Sequence, residues 1–192
     1  MKIGDVLYFS PRFPFAKLNL VDPVTLIDAL RDRVEGFYLQ PAARCLASHD
    51  AFAGGLICCA VIDFLTIVYG EESPSDWLKS HVPAFIKNNE IAERFWIRFR
   101  HGLMHEGYIK SQGQFSLELP EVVITDGTVM IVNPRVLLEQ IEAAFSEYCN
   151  SFTSAQAAQL ATRLHRYFDA EIKAARPSGS QEQTDDPHAA PV

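Results

Sequence analysis

Residues 51–69, AFAGGLICCAVIDFLTIVY, decide the fold. The run is almost wholly apolar and long enough to cross a bilayer. Asp63 lies inside it, and a carboxylate at the centre of a membrane span costs about 3 kcal/mol of insertion free energy. Amphipathic segments flank the run, and no Lys/Arg cluster marks an end. A helix covered all round by neighbouring helices explains the same composition, so the expectation is a core helix and no membrane role. Asp63 must then be paired, protonated or beside a cavity, because an isolated buried carboxylate is expensive.

Working outward, helix punctuation is clear on both sides. Asp22-Pro23 reads as an N-cap with proline at the first helical position, opening a helix to about Gln40 through Leu26, Leu30, Val34 and Phe37. Pro41 is expected to close it, with a short piece through Cys45 and Leu46 leading to residue 50. Downstream, Ser73-Pro74-Ser75-Asp76 reads as a capped start of a helix toward Asn88, and Glu90 to about His105 is the next helical stretch. The period then changes. Phe115, Leu117 and Leu119 alternate with polar residues, and VVIT-Asp126-Gly127-TVMIV predicts a hairpin over Val122–Val132 turning at Asp126-Gly127. Asn133-Pro134 caps a further helix with Val136, Leu137, Ile141 and Phe145, and a last helix is expected from about Ala155 to Ala175.

These signals predict a mainly α fold, a helical bundle with a small β-hairpin insertion at about 108–132. Residues 1–21 form an N-terminal extension packed on the body, and residues 22–176 form the helical domain. Residues 177–192, rich in Pro, Ser, Gln and Asp, are expected to be a disordered acidic tail. The composition, 48% hydrophobic and 21% charged, excludes disorder along the whole chain. The net charge of −7 excludes a molecule that is basic all over, although Glu182, Asp185 and Asp186 of the tail supply three of those charges. Cys45, Cys58, Cys59 and Cys149 form no CxxC pair and have no histidine at zinc spacing, so free, mostly buried thiols in a reducing cytoplasm are expected. The opening MKIGDVLYFSPRFPF is broken by Pro11 and Pro14 and lacks the apolar run of a secretory signal.

Chemistry concentrates in Ile91 to Lys110, IAERFWIRFRHGLMHEGYIK. On a regular helix Ala92, Phe95, Phe99 and Leu103 make an apolar stripe, and Arg94, Arg98, His101 and His105 make a second one. Residues 94–110 hold Arg94, Arg98, Arg100 and Lys110 against Glu106 alone. A basic, imidazole-bearing ridge on an acidic protein suits a phosphate. An ordinary solvated face of an amphipathic helix is the alternative reading of this spacing.

Arg100-His101-Gly102-Leu103-Met104-His105 resembles the R-x(4–6)-H signature of the HEPN superfamily, helical domains that commonly act as metal-independent ribonucleases. The polar residue that its members often place after the arginine is matched by His101. The resemblance covers the helical body loosely, and only this motif is specific. It implies that Arg100 and His105 are catalytic with His101 supporting orientation, and that no metal or cofactor takes part. It also implies a homodimer with two motifs facing one cleft. Arg98, Arg94 and Lys110 are the expected substrate contacts, with Asp63 and Glu106 in support. Asp63 is read as orienting Arg100 or a histidine, with a structural ion pair elsewhere as the alternative. One tension stays open. On an α-helix, residues five apart point about 140° from each other, so periodicity favours Arg98 as the partner of His105 while the motif favours Arg100. A helix ending at Gly102 would relax the conflict. His49, His81 and His165 are assigned no chemistry, and Tyr108 either stacks on a base or starts the β excursion.

The residue types suit RNA cleavage without metal. Histidine titrates near neutrality and serves as acid or base, and arginine keeps its charge and grips phosphate with two parallel hydrogen bonds. The expected function is an endoribonuclease of HEPN type, in the cytoplasm, with the toxic or defensive half of a pair, silenced by a nucleotidyltransferase-type antitoxin or another regulatory protein, as the role that the resemblance implies. The alternative is a non-catalytic dimeric module of the same build that binds RNA, nucleotide or protein.

Overall fold

A computed structural model describes residues 1–86, 89–110 and 112–175, so the expected tail over 177–192 lies outside the described residues. The fold is mainly α with small β elements. A short hairpin, β1 (Lys2–Ile3) and β2 (Val6–Leu7), precedes α1 (Pro23–Val34), α2 (Gln40–Ala47) and α3 (Ala51–Tyr69). Next come α4 (Pro74–His81), α5 (Asn89–Phe95) and a wide π-type helix over Trp96–Glu106. Three strands follow, β3 (Gly113–Phe115), β4 (Val123–Asp126) and β5 (Val129–Val132), and the chain closes with α6 (Pro134–Asn150), α7 (Ser154–Tyr167) and α8 (Asp169–Ala175).

The caps behave as their residue types require. The side chains of Asp22, Ser73 and Asn133 each accept from a backbone N–H in the first helical turn, and Thr153 with Gln156 closes a full capping box on α7. Proline behaves less predictably. Pro41 does not end the first helix, because a π turn over Glu35–Leu39 precedes it, in which Gln40 N–H reaches back to Glu35 C=O, and α2 carries on to Ala47. Pro83 does act as a stop: Val82 is extended before it, so α4 ends at His81 instead of running toward Asn88. The last helix breaks at Phe168 into α7 and α8.

Helix α3 is the axis of the bundle. Cys58, Cys59, Val61, Ile62, Leu65 and Val68 are buried against α2, α4, α6, α7 and both π segments. By length and composition α3 could cross a membrane; here its neighbours cover it. Burial pushes the Cys58 thiol up to about 12 and Cys59 well above its ordinary value, which leaves both thiols protonated and inert.

The β excursion differs in one respect from expectation. β4 and β5 pair antiparallel, but Asp126 pairs with Val129, so the two-residue turn is Gly127-Thr128, with Gly127 at φ +55°. β3 adds to β5 in parallel, completing a sheet in the order β3-β5-β4, and Leu117 and Leu119 fall beyond it. The sheet lies close on the bundle: a methyl at Gly55 of α3 would strike the Phe115 ring, which also packs on Phe99 at 4.9 Å.

Residues 1–21 are tied down at an aromatic cluster. Phe9, Phe15 and Phe168 meet edge to face, with ring centroids 5.4–5.7 Å apart. The Arg33 guanidinium sits among them, 4.7 Å from the Phe168 ring, 4.8 Å from Phe64 and 5.1 Å from Phe9, and donates to the Phe9 carbonyl. Arg12 reinforces the tie through Asp32 at 2.7 Å.

Phe168→Ala removes a ring shared by the arm, α3 and the last helix, so it should lower the unfolding free energy by about 3 kcal/mol and speed amide exchange at Phe9 and Phe15 together. An effect confined to α8 would show that the arm is held elsewhere. Acid should act through the caps. The Asp22 carboxyl is held below its ordinary value by the Thr25 hydroxyl and N–H, and Asp76 by Lys79 and Ser73. Their stabilisation is therefore present above the ordinary carboxyl value of 3.8 and lost as pH falls through the lower folded-state values. The heat-unfolding midpoint should stay level from neutrality to about pH 5 and fall below about pH 4.

Candidate functional site

The helix that carries the motif is the wide one. Over Trp96–Glu106 the backbone closes i→i+5 hydrogen bonds, the last of them from Gly107 N–H to Gly102 C=O. Two demands meet there. Phe99 and Leu103 must stay buried in the core, and the guanidinium of Arg100 must reach the carboxylate of Asp63 on α3. The wider turn satisfies both, and it also brings residues five apart onto one side.

Arg100 and His105 meet as a result. Arg100 Nη1 lies 2.6 Å from His105 Nε2, and Arg100 Nε donates to Asp63 Oδ2 at 2.9 Å. A guanidinium has only donors, so a hydrogen bond at this contact requires Nε2 as the acceptor, which is the Nδ1–H form of the imidazole. The guanidinium carbon lies 5.7 Å from the Trp96 ring, and the His101 ring lies 5.5 Å from that of His105. The Asp63 and Arg100 side chains are 31% and 22% exposed, whereas both histidines stand in solvent. The geometry removes the conflict between motif and periodicity, since an α-helical spacing does not apply to this segment.

Gly102 does not end the helix. It is buried inside it, and a methyl there would collide with the Tyr108 carbonyl, which folds back beside it. The end comes at Gly107, with φ +74°, a conformation glycine adopts without strain. Lys110 N–H then donates to Arg98 C=O at 2.9 Å, closing the return of the chain.

The other expected contacts have different partners. Arg98 Nη1 donates to the Thr128 carbonyl at 2.6 Å, and Arg94 Nη2 to the Gly127 carbonyl at 3.3 Å, so both grip the hairpin turn. Burial, and then the Arg94 charge, lower the Arg98 guanidinium from its ordinary value. Lys110 pairs with Glu106, and that bond, together with the Tyr108 hydroxyl, holds the Glu106 carboxyl below its ordinary range. Glu106 is thus tied to Lys110 in this structure. Of the two supporting residues expected, Asp63 bonds Arg100 directly and Glu106 interacts with His105 through its charge.

Trp96 was not singled out by the sequence, although it stands four residues before Arg100 and its ring meets the guanidinium. His81 is also more than a surface residue: it lies half-buried, 3.1 Å from Glu71, with its ring 4.4 Å from that of Tyr69. That pair is remote in sequence from the motif. Among the described residues no group of three His, Cys, Asp or Glu side chains is placed to hold a metal ion.

Gly102→Ala should cost about 1–3 kcal/mol, because the added methyl meets backbone, and should disturb the amide signals of residues 106–110. Unchanged signals there would contradict the close return of the chain. Arg98→Ala should cost about 1 kcal/mol and speed amide exchange in Val123–Val132 while leaving the Arg100–His105 contact in place. No family model, curated protein or solved structure matches the chain.

Proposed function

We propose that this chain is a metal-independent endoribonuclease of HEPN type in which Arg100 and His105 act on one phosphodiester. The observation that supports the reading is the 2.6 Å contact between Arg100 Nη1 and His105 Nε2, on a solvent-facing segment with Arg100 held from behind by Asp63. An RNA phosphate is a charged acceptor, and a charge-assisted hydrogen bond is roughly twice as strong as a neutral one. The phosphate therefore takes the arginine donor from His105 and frees Nε2. His105 Nε2 then accepts the proton of the 2′-hydroxyl, the 2′-oxygen bonds to phosphorus, and the bond from phosphorus to the 5′-oxygen breaks. A protonated imidazole, with His101 the candidate within the chain, returns a proton to that oxygen. The products are a 2′,3′-cyclic phosphate and a 5′-hydroxyl, and Arg100 stabilises the charge gathered on the phosphorane.

A homodimer fits the surface of the same segment. Ile97 and Met104 are 57% and 46% exposed on either side of the exposed His101, an apolar pair that water does not favour. A second copy covering them brings two motifs to one cleft and supplies a further histidine as acid. The buried, protonated thiols suit a reducing cytoplasm, and a regulatory protein that masks the cleft would silence the activity.

The same contact favours a second reading, a dimeric module that binds RNA without cutting it, because Nε2 is occupied by Arg100 in the free chain. RNA incubated with the protein in EDTA separates the two. The expectation is cleavage with cyclic phosphate ends, lost by about 10²–10⁴-fold in His105→Ala and in Arg100→Ala. RNA bound but never cut would move the conclusion to the binding module, and cleavage seen only with added magnesium would contradict both readings. Sedimentation should report twice the 21.5 kDa chain, and a monomer at every concentration would remove the composite cleft.

A further inference from the structure

Asp63 is an unusual tenant of α3, the most apolar helix of the chain. A half-buried ion pair adds little stability over apolar residues of the same volume, so its effect here is geometric. Its carboxylate fixes one edge of the Arg100 guanidinium through Nε, and the Trp96 ring lies against that group 5.7 Å away. A planar group fixed at one edge by a hydrogen bond and set beside a ring has little freedom to shift or tilt. Nη1 is thereby aimed at His105 Nε2, and among the described residues Nη2 meets no acceptor and forms the open edge. The histidine is exposed, beside the His101 ring and the Glu106 charge, and among the described residues Arg100 Nη1 is the donor that meets its Nε2.

We propose that Asp63 is the positioning residue of the site: by accepting the Nε–H of Arg100 it aims Nη1 at His105 and so keeps that histidine in its Nδ1–H form, with the Nε2 lone pair turned to the arginine. The consequence for catalysis rests on the ribonuclease reading; the arrangement itself does not. In the free chain the base is stored in the tautomer it needs. A phosphate that bridges the open Nη2 edge and Nη1 releases Nε2 with its lone pair already facing the bound anion. The carboxylate never touches RNA and acts through Arg100 alone.

Ring nitrogen and proton signals of His105, read by NMR above the histidine titration range, test this without RNA. The wild-type protein should show the Nδ1–H form alone. Asp63→Ala should give a mixture of tautomers at unchanged helix content, whereas Asp63→Asn, which keeps an acceptor in the same place, should retain the wild-type signature. Arg100→Lys is an independent variant, since an ammonium cannot bridge both partners, and it too should lose the single tautomer. If RNA is cleaved, kcat in Asp63→Ala should fall by about 10²-fold, the loss expected when a reacting group moves by about 1 Å, with a smaller change in KM. A wild-type tautomer in folded Asp63→Ala, or in Arg100→Lys, would overturn the proposal. A wild type that cuts no RNA but shows the predicted tautomer changes would end the ribonuclease reading and leave the positioning role standing. Cleavage with an unchanged tautomer would do the reverse.

Discussion

A half-buried carboxylate on the central, apolar helix favours a cationic partner from a neighbouring element, and Asp63 is paired by Arg100 at 2.9 Å. Much of the local structure is arranged around that bond. The partner helix must bring a guanidinium to α3 while keeping Phe99 and Leu103 in the core, and it widens to i→i+5 bonds over Trp96–Glu106 to do so. With the helix widened, Gly102 has to admit the returning chain, and Lys110 N–H can close on Arg98 C=O. The two arginines that do not reach α3, Arg94 and Arg98, hold the Gly127-Thr128 turn and so seat the sheet on the bundle.

The chemical character of the site follows from the same bond. An arginine tied at Nε to a carboxylate and at Nη1 to an imidazole keeps its charge and its direction, and its Nη2 edge, without a partner among the described residues, faces an incoming anion. The imidazole sits in solvent beside a second one, within reach of a substrate too large to enter a pocket. Such a surface suits a polymer phosphate better than a small metabolite, which would need enclosure. The net charge of −7 does not exclude local attraction of an anion at the exposed motif.

The helix starts were legible because their signals are local: Asp22, Ser73 and Asn133 each cap the helix that follows with their own side chain. The hairpin was legible to within one residue, with Gly127 marking the turn and Thr128 taking the second turn position. The pairing of Arg100 with His105 was legible only as a motif. Periodicity argued against it, because a 3.6-residue turn was assumed where long-range packing imposes a wider one. Pro41 misled for the same reason, since the π turn before it absorbs the missing N–H and lets the helix pass. Arg94, Arg98, Lys110 and Glu106 share a basic ridge in sequence, but their partners, the hairpin turn carbonyls and one another, come from the folded chain. Trp96 carried no signal beyond its spacing from Arg100.

The central claim is that Arg100 and His105 act as one unit, and a double-mutant cycle on RNA cleavage measures that directly. Rates in EDTA are needed for the wild type, Arg100→Ala, His105→Ala and the double variant. A shared unit predicts that the double variant is about as slow as either single one. Two losses that multiply in the double variant would mean that the residues work independently, and the contact at 2.6 Å would then have no part in the chemistry.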